Sequence, residues 1–158
     1  MTSSKTLEPK SRRPTRGSED YGSHVHIHLK AAFGLIKKCM KDGLYMPAYV
    51  TAFSIVEDRL FAMYVVAKRV TDGETEVRRN FRISLLENAD YLIKNGHLEK
   101  SIKPILNRAF DLRNERFHGA MWRLDEFNEE NTTQIIDLAR LLTDLRNKQR
   151  KKFGTGQD

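Results

Sequence analysis

The chain has 158 residues, enough for one domain with a substantial core, and is 39% hydrophobic and 31% charged. Its formal net charge of +7 favours an anionic partner without specifying one. The lone cysteine, Cys39, excludes an intramolecular disulfide and a thiolate metal cluster. No apolar run reaches the roughly 18 residues needed to cross a bilayer, and the basic N-terminus has no apolar stretch behind it. A cytoplasmic protein with no membrane partner is expected.

Residues 1–23 are rich in Ser, Thr, Pro, Gly and cations (Lys5, Lys10, Arg12, Arg13, Arg16). That composition predicts a flexible, disordered basic arm, either a solvated leader or a strand that tracks a nucleic-acid backbone. Residues 24–152 read as one helical bundle, and 153–158 as a flexible tail. From His24 to Lys41, Val25, Leu29, Ala32, Phe33, Ile36, Cys39 and Met40 recur at helical spacing, and Asp42-Gly43 closes the helix. His24 and His28 share a face at a spacing zinc can use, but no carboxylate or thiolate falls nearby to complete a site. No metal and no cofactor is expected.

The run from Met46 to Val70 is apolar almost all round, with Pro47 suited to its first helical position. Such a helix lies at a centre, covered by neighbours or by a second subunit. Glu57, Asp58 and Arg59 interrupt it and require partners or solvent. They form either an exposed stripe or a cleft-facing group in which Glu57 or Asp58 orients the side chain of Arg113 or His118. Thr71-Asp72-Gly73 breaks the pattern. Residues 77–95 form the next helix, basic at its start (Arg78, Arg79, Arg82) and ended by Asn95-Gly96. Ser101 is a candidate cap for a further helix with Pro104 in its first turn and Gly119 as its stop. The last helix spans Thr132 to Lys151, with Asn131 as N-cap and a cationic end that suits the helix dipole. Strand-like alternation, internal repeats and a Gly-rich phosphate loop are absent, so the fold class is all-α, an up-and-down bundle of four to five helices.

The penultimate helix ends in Leu112-Arg113-Asn114-Glu115-Arg116-Phe117-His118-Gly119. A fixed cation, an amide and a side chain titrating near neutrality are the parts needed to hold a phosphate and move a proton. At about 100° per residue, Arg113 and His118 stand about 140° apart on a regular helix. Either the last turn bends, or two copies of the helix share one site. Asn114 and His118, at i and i+4, lie on one face.

Arg113, the polar Asn114, three residues and then His118, inside a small helical domain, resemble the R-x4-6-H motif of the HEPN superfamily over roughly residues 24–152. The resemblance implies a homodimer whose two motifs face one another, and metal-independent endoribonuclease chemistry. It implies His118 as general acid or base, Arg113 as phosphate clamp and Asn114 as an orienting partner. RNA is the implied substrate, and a toxin or defence role with a cognate antitoxin or partner protein is the implied setting. Arg116, Glu57 and the Arg78, Arg79, Arg82 cluster are the candidate substrate-contacting residues. Two rival readings stand beside it. One is a non-catalytic HEPN-like protein that binds RNA or nucleotide, or serves as a partner subunit; the other is a nucleic-acid-binding module acting through its basic ends.

Overall fold

The computed structural model describes residues 21–73, 85–119 and 124–153, with side chains for 27–73, 85–113 and 125–153. Five α-helices appear among them: α1 (Tyr21–Lys41), α2 (Tyr45–Asp72), α3 (Leu85–Lys94), α4 (Lys103–Gly119) and α5 (Glu129–Phe153). Short 3₁₀ turns at Lys100–Ile102 and Leu124–Glu126 precede α4 and α5, and no strand occurs among the described residues. Most of the expected arm and tail lies outside the described residues. Where they are described, 21–23 open α1 and Phe153 closes α5, so both helices are longer than their apolar patterns imply.

The all-round apolar run becomes the central helix. Half of the 28 residues of α2 are buried, including Leu60, Val56 and Ala67 with no exposure. The chain itself covers it: α5, α1 and α3 pack on α2 in that order of extent. The core continues through Ile36 and Cys39 of α1, Leu92 of α3, Leu106 of α4, and Ile135 and Leu142 of α5. Fully burying one such leucine stabilises the fold by about 1.5–3 kcal/mol.

The two turns after α1 and α3 share one solution. Gly43 and Gly96 adopt φ of 69° and 72°, which glycine alone reaches without steric cost. The Leu44 N–H then donates to the Cys39 carbonyl at 2.8 Å, and the His97 N–H to the Leu92 carbonyl at 2.8 Å. Both are Schellman closures that satisfy orphan carbonyls at a helix end.

Three predicted starts are corrected. Pro47 sits at the third position of α2, since the helix begins at Tyr45. The first three N–H groups of a helix have no internal partner, so proline is tolerated there too. Ser101 lies inside the 3₁₀ turn, with its hydroxyl on Glu99 Oε2 at 3.2 Å, and does not cap α4. The cap of α5 is Asn128 rather than Asn131. Its Oδ1 accepts the Asn131 N–H at 2.9 Å and its carbonyl accepts the Thr132 N–H. Asn131 is buried instead, donating from Nδ2 to the Glu126 carbonyl.

Chain direction follows from contacts between helices. Tyr49, early in α2, packs edge-on against Phe127, and Gln149, late in α5, donates to the Met63 carbonyl. Hence α2 and α5 run in the same sense. Between them the chain must travel back along α2, which is about 42 Å long. Helix α4, about 25 Å long, carries most of that return. It opens with Lys103 paired to Asp90 of α3, whose neighbour Tyr91 reaches Asp72, and later brings Arg113 beside Glu57, so α4 runs antiparallel to α2.

Candidate functional site

Arg113 is the described member of the motif, and its surroundings follow from the register of α4. Leu106 and Ala109 are buried on the core side of that helix, and Arg113 continues their 3-and-4 spacing by one more turn. A cation at that station is directed at α2. Its Nη2 lies 3.4 Å from Glu57 Oε1, and its Cζ lies 5.6 Å from the centroid of the Phe53 ring. The ion pair is looser than the roughly 2.7–2.9 Å of a charge-assisted hydrogen bond. Both partners keep contact with solvent, the arginine side chain at 42% and the glutamate at 27%. Phe53 is buried, so its ring is a fixed shelf beneath a guanidinium that water still reaches.

The charges in the middle of α2 therefore divide. Glu57 goes to Arg113, while Asp58 pairs with its neighbour Arg59, whose side chain is buried. Asp58 takes no part at Arg113. Phe53 is the residue that sequence reasoning passed over as ordinary core. It is core, and it also supports the cation. Its spacing of four from Glu57 places both on one edge of α2, and that was the available signal.

The other motif residues are placed by backbone alone. Asn114, Arg116 and His118 belong to α4, which continues as an α-helix to Gly119, and their side chains lie outside the described residues. Along such a helix the positions of Arg113 and His118 differ by about 140°, while Asn114 and His118 share a face. Arg78, Arg79 and Arg82 lie outside the described residues, and so do the side chains of His24 and His26. Among the described residues no group of His, Cys, Asp and Glu is arranged to hold a metal. No helix among them is long and apolar enough to cross a membrane.

Two further features flank this region. Met46 and Val50 are exposed apolar residues on the same edge of α2 as Glu57. Near the other end of α2, Tyr64 and Tyr91 meet edge to face at 5.2 Å, and Lys68 Nζ stands 4.7 Å over the Tyr91 ring. Asp72 there accepts from Lys68 at 2.7 Å and from the Tyr91 hydroxyl at 3.0 Å. The Lys68 hydrogen bond, more than that from Tyr91, holds the Asp72 carboxyl below its ordinary value. Burial, and then the bond to Asp72, push the Tyr91 hydroxyl above its own. A separate groove between α1 and α5, floored by Phe33, Ile36, Met40 and Ile136, shares no residue with the Arg113 surroundings.

Compared with known protein families, curated proteins and solved structures, the chain matches none of them.

Proposed function

We propose that the chain is a HEPN-type, metal-independent endoribonuclease that acts as a homodimer. The reading rests on Arg113: a cation fixed on an aromatic shelf, open to solvent, at the end of the helix that also carries Asn114 and His118. One copy cannot aim Arg113 and His118 at the same atom, because α4 keeps them about 140° apart. A site made by two copies removes that difficulty. The exposed Met46 and Val50, on the same edge of α2 as Glu57, supply apolar surface for a second copy to cover.

RNA brings its own nucleophile. His118 removes the proton of a 2′-hydroxyl, the oxygen attacks the adjacent phosphorus, and the bond from phosphorus to the 5′-oxygen breaks. The same imidazole, now carrying that proton, returns it to the leaving 5′-oxygen as it departs. Arg113 binds the charge that grows on the phosphoryl oxygens, and Asn114 orients His118 along its own helix face. The products are a 2′,3′-cyclic phosphate and a 5′-hydroxyl end. No proton or charge in this sequence is left for a metal or cofactor to carry.

One observation favours a second reading, a non-catalytic HEPN-like protein that binds RNA or nucleotide or partners another protein such as an antitoxin. Arg113 already has Glu57 and Phe53 as neighbours, as a purely structural arginine would. A mixed RNA panel incubated with chelator separates the two. Cuts ending in cyclic phosphate, lost in His118→Ala and in Arg113→Ala, are expected of the nuclease. Intact RNA with folded wild-type protein, or loss of the dimer in His118→Ala, supports the second reading.

A further inference from the structure

We propose that Glu57 is a resident competitor for the phosphate at Arg113, and that it biases the site towards internal phosphodiesters over terminal phosphate groups. The proposal rests on the reading of Arg113 as a phosphate clamp. Three observations carry it.

The first is the looseness of the pair. At 3.4 Å, with both side chains reached by water, the Glu57–Arg113 contact is a surface ion pair that separates at little cost. An arriving anion can therefore displace the carboxylate from the guanidinium. The second is the shelf. Phe53 is buried and holds the guanidinium through its ring face, without using any N–H group. Arg113 keeps its place when Glu57 lets go, and its donors are free for a bidentate grip on two phosphate oxygens. The third is that Glu57 cannot leave. It is fixed to the middle of α2 between Phe53 and Phe61, so the displaced carboxylate remains beside whatever anion has bound.

That residual negative charge sets a preference. A phosphodiester carries one negative charge, whereas a terminal phosphate carries about 1.5 to 2 near neutral pH. A carboxylate a few ångströms away disfavours each added charge by about fivefold in binding at low salt. The site therefore accepts the chain interior and resists chain ends and free phosphate. Removing the carboxylate at constant shape relaxes that resistance.

The test uses the full chain as wild type, Glu57→Gln, Arg113→Ala and the double variant, all with chelator and low salt. The probes are a short 2′-O-methyl RNA without terminal phosphate, which cannot be cut, and inorganic phosphate. Glu57→Gln is expected to tighten the RNA about fivefold and inorganic phosphate by more, both gains fading as salt rises. In the Arg113→Ala background both gains disappear. Circular dichroism and melting curves establish that each variant is folded, and Glu57→Ser serves as a second neutral substitution. Weaker or unchanged binding in folded Glu57→Gln overturns the proposal, as does an equal gain for both probes or a gain that persists without Arg113. An Arg113→Ala variant that binds the RNA as tightly as wild type instead sinks the clamp reading beneath it.

Discussion

The Tyr91 hydroxyl donates to Asp72 Oδ2 at 3.0 Å and so ties α3 back to the last turn of α2. Lys68 joins the same carboxylate from one turn earlier and lies over the Tyr91 ring.

The two titrations at this contact have opposite signs. Asp72 is held below its ordinary value when folded, so its contribution is present above the usual carboxylate range and lost as pH falls through the folded value. Tyr91 is raised, so its contribution is complete below about pH 10 and lost as pH rises through the folded value. Melting curves of wild type and Asp72→Asn should therefore differ at neutral pH and converge below about pH 4. Wild type and Tyr91→Phe should converge only in strong alkali. A difference that persists unchanged to pH 2 would show that Asp72 acts other than as a charged acceptor.

Neighbouring leucines on α5 give a direct test of the packing. Leu142 is fully buried against α2, whereas Leu141 is 43% exposed. Leu142→Ala should cost about 2–5 kcal/mol in urea denaturation. Leu141→Ala should stay within about 0.5 kcal/mol of wild type. Comparable losses at both positions would mean that the rotation of α5 against α2 is wrong.

The start of α5 offers a smaller effect. Asn128→Ala should destabilise the fold by about 1 kcal/mol through loss of the cap. Thr132, one turn in, has no exposure and its hydroxyl has no hydrogen-bond partner among the described residues. Thr132→Val keeps the shape and removes a buried, unsatisfied oxygen, so it should stabilise by about 1 kcal/mol. A valine variant that melts below wild type would place an ordered partner at that oxygen.

The two-copy site makes a prediction that no single-copy site shares. Arg113→Ala and His118→Ala are each expected to be inactive. Mixed and allowed to exchange subunits, they should regain roughly a quarter of wild-type cleavage, since half the dimers are mixed and each holds one complete site. No recovery, despite exchange shown by native mass spectrometry, would confine Arg113 and His118 to one chain.

What the sequence made legible follows from the physics of each signal. Hydrophobic period gave the helices and their buried faces, and Ile36, Cys39, Leu92, Leu106 and Leu142 all lie inward as their spacing requires. Period says nothing of partners, so the parallel run of α2 and α5, set by Tyr49–Phe127 and Met63–Gln149, had no sequence signature. Caps were harder. Asn128, Glu129, Glu130 and Asn131 are all plausible at a helix start, and the burial of Asn131 decides between them. At the site, the need of Glu57 for a partner was visible as a charge within an apolar helix, and Arg113 meets it. The second use of Phe53 was hidden, because an aromatic that packs inward and one that supports a cation look alike in a string of residues.

The packing of α5 on α2 also bears on how the chain reaches its fold. The principal packing surface of α2 is α5, whose residues emerge from synthesis some 60 to 100 positions later; Met63 and Gln149, which touch, are 86 apart. Helix α1 can close on α2 at once through a three-residue turn, and α3 can follow, but the largest packing face of α2 stays bare until α5 arrives. Folding is then governed by one long-range event, which slows it relative to bundles built from sequence neighbours. A nascent or truncated chain stopped before Glu129 would be an adhesive intermediate, not a smaller bundle, and would depend on chaperones or clump.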